Sequence, residues 1–323
     1  MLRFFRSYNS VVLVVILLIG ILTWLHIFVE TELVSSGKYG TFIFNGWLAN
    51  APVWFGFILS LLTAILLVFA NARLHLIEKI SYLPALCYVL LIGGIPEIHL
   101  FNPVLIATIL LVTGFIILAG AFESERLSYH FFAAPVFIST AAFFYPYMYV
   151  YMLVVWFAIA LWRPGYWREW VFSVLGFALP MFFAFSWFFL VEDDVSLMGN
   201  FFNEMFTIQR IVPSLSISTI IFFVVGIVVG AVAFGHLLRY IGSKKVITRT
   251  RYYILILIGI ITIGMAIVTP EMIPMAWYLL AFPMSLMVAS YLATIKSARW
   301  GTIVLAILFA GVMVAHALFL STG

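Results

Sequence analysis

The sequence predicts an all-α membrane protein: a polytopic bundle of about eleven transmembrane helices. Of the 323 residues, 66% are hydrophobic and 9% are charged, whereas a soluble domain carries roughly 25% charged residues. The apolar residues form long runs that are bounded by a few charges. The connecting segments rarely exceed about twenty residues, the length of a single span. We therefore expect one integral membrane domain over residues 1–323 and no soluble domain.

Individual spans follow from the length of helix that a bilayer requires. A helix crosses a hydrocarbon core about 30 Å thick with about 20 apolar residues. The first apolar run follows Arg3 and Arg6, as in a signal peptide, but it is long and has no small-residue cleavage site, so we predict an uncleaved span. The predicted spans are residues 11–29, 51–70, 81–95, 103–121, 131–145, 148–162, 171–190, 215–238, 252–268, 276–294 and 301–320.

The apolar run from Phe131 to Trp162 decides whether the number of spans is odd or even. As one helix it would be about 48 Å long, which exceeds the hydrocarbon thickness. Pro146 lies near its middle among four tyrosines, and arginines lie on both sides of the run. A proline within an interfacial aromatic cluster indicates two short spans that meet at the far membrane surface.

The basic residues predict the orientation. With these spans, only Lys38 and Arg210 of the sixteen lysines and arginines fall on the outer side. The positive-inside rule therefore predicts a cytoplasmic N-terminus and an external C-terminus. Because the basic residues cluster between spans, where anionic headgroups lie, the net charge of +4 does not indicate nucleic-acid binding.

Several chemistries lack the motifs that they require. The sequence contains no phosphate loop, dinucleotide fingerprint, serine-hydrolase elbow or paired-cysteine metal motif. The segment Gly242–Lys245 resembles part of a phosphate loop but lacks its glycine spacing, so we interpret it as a basic cytoplasmic turn. The single cysteine, Cys87, is expected in the packed core. The predicted spans contain few ionisable groups, which disfavours ion-coupled transport.

Acidic residues on the outer side are the candidates for catalysis. Glu30 and Glu32 follow the first span, and Asp193 and Asp194 lie in an outer loop that also carries Arg210. A carboxylate there can act as a general base or a metal ligand, and Arg210 can neutralise a substrate phosphate. Ordinary solvated loops and helix caps explain the same residues.

Histidines and one further carboxylate form a second candidate cluster at the outer surface. His26 lies one helical turn before Glu30, Glu97 and His99 share a tight outer turn, and His316 is expected at a similar depth. Imidazole and carboxylate groups at one level can bind a divalent metal ion, the one cofactor that the sequence suggests. Hydrogen bonding at helix ends is the alternative.

The cytoplasmic segment 163–170 combines basic and aromatic side chains. Arg163, Trp167, Arg168 and Trp170 fit anchoring at the lipid headgroups. A sharper alternative is that they bind a lipid phosphate or a partner protein.

Three segments carry a resemblance to a known group of proteins. They are Leu2–Ser7, Ser81–Leu86 leading to Pro96 and Glu97, and Arg163–Pro164 with Trp167–Trp170. They resemble an uncharacterised family of multi-pass inner-membrane proteins of Bacteroidota, a domain of unknown function. The resemblance covers most of the chain to about Pro180, and it implies a localisation and a topology but no chemistry.

A second resemblance, of topology alone, is to polyprenol-dependent glycosyltransferases of the GT-C type. Those enzymes carry acidic catalytic residues in outer loops, often just after the first span, where Glu30 and Glu32 lie here. The first outer loop is shorter than theirs and lacks a paired-aspartate motif. The resemblance implies transfer from a polyprenyl phosphate carrier at the periplasmic face.

Three functions remain open from the sequence. The first is the GT-C-like transferase, so whether the chain is an enzyme is left undecided. The second is a scaffold or accessory subunit of an envelope-assembly or secretion complex, whose partners are other inner-membrane proteins. The third is a transporter of a small molecule or lipid. All three predict contact with membrane lipids.

Overall fold

The computed structural model describes residues 2–6, 9–29, 53–77, 81–96, 99, 102–123, 127–162, 164–187, 189–190, 199, 215–270, 273–295 and 297–322. The regular elements within these ranges are helices. After a single turn at Leu2–Phe5, the helices are α1 (Ser10–Val29), α2 (Val53–Leu74), α3 (Leu83–Gly93), α4 (Pro103–Gly120), α5 (Leu127–Phe144), α6 (Met152–Trp162), α7 (Trp167–Trp187), α8 (Ile217–Tyr240), α9 (Val246–Val268), α10 (Ile273–Thr294) and α11 (Ala298–Thr322).

The length and composition of these helices are consistent with a membrane protein. Within the described ranges, seven helices are long and apolar enough to cross a membrane: α2, α4, and α7 to α11. The apolar segments of α1, α3, α5 and α6 are shorter. Each of the predicted spans overlaps one of the helices, so the sequence located the apolar helices correctly.

The core of the bundle is built around α3 and α10. Every residue of α3 is buried, as expected of a helix that is apolar on all sides. In α10, 83% of the most apolar window is buried, against 17% in α7. The helix α10 packs against α3, α4, α8 and α9. With eleven residues, α3 is only about 16 Å long, so it lies within the bundle as a short inner helix.

The chain reverses direction at Pro146, as the sequence predicts. Tyr145 is extended, with φ −147° and ψ 102°, and Pro146 begins a 3-10 helix that leads into α6. The ring centroids of Phe131 and Trp162 are 5.9 Å apart. In one continuous helix these residues would be about 46 Å apart. Helices α5 and α6 therefore form the predicted hairpin.

Close packing of α7 on α5 depends on a glycine. A Cβ atom at Gly176 would overlap the backbone carbonyl of Phe132. Small residues allow two helix backbones to approach closely, and packing of this kind holds helices together where both sides are apolar. The exposed surface of α7 is largely apolar, with Phe182 and Trp187 more than half exposed.

The helix α9 extends beyond the predicted span at its N-terminal end. Its first residue is Val246, whereas the predicted span starts at residue 252. Arg249 and Arg251 therefore lie within a helix and not in a loop. Arg251 is buried, with 1% of its surface exposed.

Hydrogen bonds between distant segments define the two ends of the bundle. At the arginine end, Arg6 and Arg251 bind the last turns of α10, α2 and α4. At the histidine end, the ring of His316 lies against α1, and His99 lies beside the last turns of α3.

Candidate functional site

Arg251 joins the ends of two helices that are distant in the sequence. Its Nη1 donates to the carbonyl oxygen of Leu74 at 2.7 Å, and its Nε donates to that of Ala119 at 3.0 Å. Both carbonyls belong to last turns, where helix carbonyls lack partners within the helix. A cation there also interacts favourably with the helix dipole. The guanidinium thus fixes α2 and α4 side by side.

Arg6 likewise donates to carbonyl oxygens at the end of a helix, in this case α10. Its Nε and Nη2 donate to Leu292 O at 2.9 and 2.5 Å, and Nη2 also donates to Ile295 O at 3.0 Å. These bonds use three of the five N–H donors of a guanidinium, and the Nη1 group provides the other two. The residue before the first long helix therefore holds the end of α10 in place.

The segment after α2 turns sharply at the arginine end. His75 has a positive φ of 46°, the left-handed conformation that commonly ends a helix. Asn71 Oδ1 then accepts a hydrogen bond from the backbone N–H of Ile77 at 3.0 Å. This arrangement brings Ser81 to the arginine end.

A cavity of about 1230 Å³ lies at the arginine end. We call it the basic cavity. Its charged side chains are Arg6, Lys244 and Lys245, and the imidazoles of His75 and His236 also line it. The lining residues that the structure describes include neither aspartate nor glutamate. Glu78, Lys79 and Lys296 neighbour lining residues in the sequence but lie outside the described residues.

Hydroxyl groups make up much of the remaining polar lining. They come from α8, α9, α10 and the segments between helices: Ser81, Tyr240, Ser243, Thr248, Ser290, Thr294 and Ser297. Ser81 is 2% exposed, and within the described part of the chain its Oγ has no hydrogen-bond partner. A buried hydroxyl without a partner is unfavourable, so the Ser81 hydroxyl can take a polar partner at the edge of the basic cavity.

The start of α9 lies beside the basic cavity. Lys245 precedes the helix and makes no side-chain cap, and the first turn carries no acidic residue. The first N–H groups of a helix have no partners within it and attract anions. Thr248 of this turn lines the basic cavity. Cationic side chains, hydroxyls and a helix N-terminus thus converge on one space, which suits an anion with several oxygen atoms.

The histidine end contains part of the predicted histidine cluster. The rings of Trp24 and His99 stack at 4.5 Å, and those of His99 and His316 are 6.1 Å apart. The Nε2 of His99 lies 3.1 Å from Ile92 O. The two ring nitrogens of His316 lie 2.9 Å from Val312 O and 2.8 Å from Thr23 O.

These hydrogen bonds give the two histidines a structural role. Ring nitrogens that face backbone carbonyls join α1 to α11 and compete with metal coordination. The searched residues contain no group of three potential metal ligands. The side chain of His26 and the whole of Glu97 lie outside the described residues, so their part in the predicted metal site stays a prediction.

The aromatic and basic segment at the start of α7 divides into two parts. Trp167 is 71% exposed, and the guanidinium of Arg168 lies over the ring of Phe172 at 5.9 Å. Trp170 is half-buried and packs against the main core. Exposed Trp167 and Arg168 suit contact with lipid, whereas Trp170 stabilises the bundle. Arg163 lies outside the described residues.

The predicted catalytic residues all lie outside the described ranges. They are Glu30, Glu32, Asp193 and Asp194, with Arg210 as the predicted phosphate ligand. The transferase site at the outer surface therefore stays a prediction from the sequence.

The basic cavity was not predicted from the sequence. Lys244 and Lys245 were interpreted as an ordinary basic turn, and Arg6 as a signal for orientation. One signal of a polar site in the sequence is the set of hydroxyl side chains in and after the last turns of α10, at Ser290, Thr294 and Ser297. No pattern along the chain shows that five separate segments meet.

Comparison with known proteins adds no family or fold to this description. No family model matches the sequence. No curated protein and no solved structure is detectably similar to the chain either.

Proposed function

We propose that this chain is a multi-pass membrane protein that binds a phosphate-bearing ligand in the basic cavity. The observation that carries the proposal is the meeting of Arg6, Lys244 and Lys245 with the unpartnered hydroxyl of Ser81. A phosphate group presents several acceptor oxygens and a negative charge, which suits a lining of cationic side chains and hydroxyls.

The start of α9 strengthens this preference for phosphate. Backbone N–H groups at a helix N-terminus bind phosphate in many proteins, and lysine is a common partner in such sites. The volume of about 1230 Å³ is larger than that of most small-molecule pockets, which are roughly 300–1,000 Å³. The ligand therefore has room for more than the phosphate itself.

We further propose that the chain crosses the membrane eleven times, with the residues beside the short helices α3 and α6 completing those two crossings, and that the arginine end lies in the cytoplasm. Support comes from the lysines and arginines whose side chains are described, because each lies in or beside a helix end at the arginine end. The positive-inside rule assigns that end to the cytoplasm. In this orientation the C-terminus is periplasmic, and the bacterial inner membrane is the proposed location.

A polyprenyl phosphate, the carrier suggested by the resemblance to GT-C enzymes, belongs to the proposed class of ligand. The basic cavity then acts at the cytoplasmic side, away from the outer carboxylates. A scaffold without a ligand predicts no response of the purified protein to phosphate compounds. The two functions thus differ in a measurable property.

Thermal unfolding of the purified protein in detergent tests the proposed function. A ligand at 100 times its dissociation constant stabilises the folded state by about 2.7 kcal/mol. We expect pyrophosphate to raise the unfolding temperature in a saturable way, compared with chloride at equal ionic strength. The Lys244→Gln/Lys245→Gln protein should lose most of this response.

A matched control removes two charges elsewhere at the arginine end. Arg73 and Arg299 are exposed and do not line the basic cavity. The Arg73→Gln/Arg299→Gln protein should respond to pyrophosphate like the original protein. An equal response in the lysine variant would show that the basic cavity does not bind phosphate.

A further inference from the structure

The two helices beside the basic cavity pack on a common neighbour and hardly on each other, and we call the space between them the gap. Helices α8 and α9 are consecutive and are joined by a short 3-10 helix, Ile241–Ser243. Each packs against α10, yet they make almost no contact with each other. His236 and Tyr240 of α8 and Thr248 of α9 line the basic cavity at this end. The gap between α8 and α9 therefore adjoins the basic cavity, since residues of both helices line that cavity.

The surfaces of α8 and α9 near this end are apolar and exposed. On α8, Leu238 is 50% and Tyr240 is 52% exposed, and on α9, Val246 is 66% and Tyr253 is 37% exposed. A water-soluble anion gains nothing from such surroundings. In a bilayer, lipid chains cover apolar helix surfaces of this kind.

The basic residues indicate where the anionic part of the ligand would lie. Lys244 and Lys245 follow the 3-10 helix directly, and Ser81 lies in the same cavity. Basic pockets between transmembrane helices bind the headgroups of anionic lipids. The polar cavity and the apolar gap therefore lie next to each other, as the headgroup and the chains of a lipid do.

We propose that the ligand is an anionic lipid, whose phosphate occupies the basic cavity and whose chains lie along the gap between α8 and α9. This inference rests on the proposed function and specifies its ligand. It involves binding alone and no covalent step. The lipid enters from the leaflet at the arginine end, where the exposed side chains of Tyr240 and Val246 lie on the two helices.

Native mass spectrometry of the full-length protein in detergent tests the inference. The probes are phosphatidylglycerol, glycerol 3-phosphate and diacylglycerol, which provide the whole lipid, the phosphate part and the chain part. We expect phosphatidylglycerol to bind at least about tenfold more tightly than either fragment. Lys244→Gln/Lys245→Gln should weaken phosphatidylglycerol by about tenfold or more.

Two further variants keep the result interpretable. Arg73→Gln/Arg299→Gln should change the affinity for phosphatidylglycerol by less than about threefold, which is under about 0.7 kcal/mol. If the lysine variant does not fold, Ser81→Ala removes one donor from the cavity and should still weaken phosphatidylglycerol measurably. Equal binding by the original protein and Ser81→Ala would then contradict the inference.

The outcomes separate this inference from the proposed function. If glycerol 3-phosphate binds as tightly as the lipid and needs the lysines, the phosphate site is correct and the lipid assignment is wrong. If no phosphate compound depends on Lys244 and Lys245, both are wrong. If Arg73→Gln/Arg299→Gln weakens the binding of phosphatidylglycerol as much as Lys244→Gln/Lys245→Gln does, the lipid is attracted to the basic surface in general. The lipid inference is then wrong.

Discussion

Replacing Arg251 with methionine should destabilise the bundle strongly. Methionine retains an unbranched apolar stem but cannot donate to the carbonyls of Leu74 and Ala119. Both of these residues are fully buried, so water does not readily replace the lost donor. Leaving one buried acceptor without a partner costs about 1–3 kcal/mol. Two acceptors give an expected loss of about 2–6 kcal/mol in the free energy of unfolding.

Replacing Arg251 with lysine should lower the free energy of unfolding by an intermediate amount. A lysine retains the charge, but its single ammonium lacks the fork of the guanidinium, which donates from Nε and Nη1 in different directions. We therefore expect Arg251→Lys to retain one of the two interhelical bonds. The predicted order of stability is the original protein, then Arg251→Lys, then Arg251→Met.

Thermal and denaturant unfolding in detergent, followed by tryptophan fluorescence, measures this order. Arg249→Met is the matched control, because Arg249 lies on the same helix and is only half-buried. Surface substitutions usually change stability by less than about 0.5 kcal/mol. Equal stability of the Arg251→Met and Arg249→Met proteins would refute the claim that Arg251 holds α2 and α4 together.

Three other predictions follow from the packing and the charge distribution. Gly176→Ala should destabilise the protein by about 1–3 kcal/mol in the same unfolding assay, because the new methyl group overlaps the backbone of α5, whereas Gly264→Ala meets open space and should not. Trp170→Ala should lower the unfolding temperature more than Trp167→Ala, since only Trp170 packs against the core; equal losses would contradict this assignment. Reporter fusions test the proposed orientation, and an external signal from any site that is expected to be cytoplasmic would contradict it. Cytoplasmic signals are expected after Lys79, Arg126, Arg168, Lys245 and Lys296, and external signals after Lys38, His99, Asp194 and Glu271.

The sequence located the helices because the length of an apolar run is a local property. The break at Pro146 was also predictable, since a proline among interfacial tyrosines interrupts an apolar run too long for one span. The burial of α3 was not predictable in this way. A helix in the centre of a membrane bundle and a helix that faces lipid are both apolar, so composition does not separate α3 from α7.

The predicted span does not show where the helix α9 begins. Arg249 and Arg251 set the limit of the predicted span, because charged residues usually lie outside the hydrocarbon core. In the structure, Arg251 lies within the helix because the carbonyls at the ends of α2 and α4 provide acceptors for its guanidinium. Those acceptors come from positions 177 and 132 residues away, which no local pattern indicates.

The basic cavity was missed for the same physical reason. Arg6, Ser81, Lys244 and Lys245 come from three separate segments, and each has an ordinary explanation where it stands in the sequence. The positive-inside rule explains the basic residues at one end of the bundle but does not predict that some of them surround a cavity. The candidate residues that the sequence did indicate at the outer surface, such as Glu30 and Asp193, lie outside the described ranges.

A cryo-EM map of the protein purified in nanodiscs that contain an anionic phospholipid is the most direct measurement of the central claim. We predict phosphate-sized density in the basic cavity, within hydrogen-bond distance of Ser81 Oγ and a lysine ammonium of Lys244 or Lys245. The Lys244→Gln/Lys245→Gln protein, prepared in the same nanodiscs, should lack that density. A well-resolved cavity that contains only water, or density that persists unchanged in the lysine variant, would contradict the claim that this cavity binds phosphate.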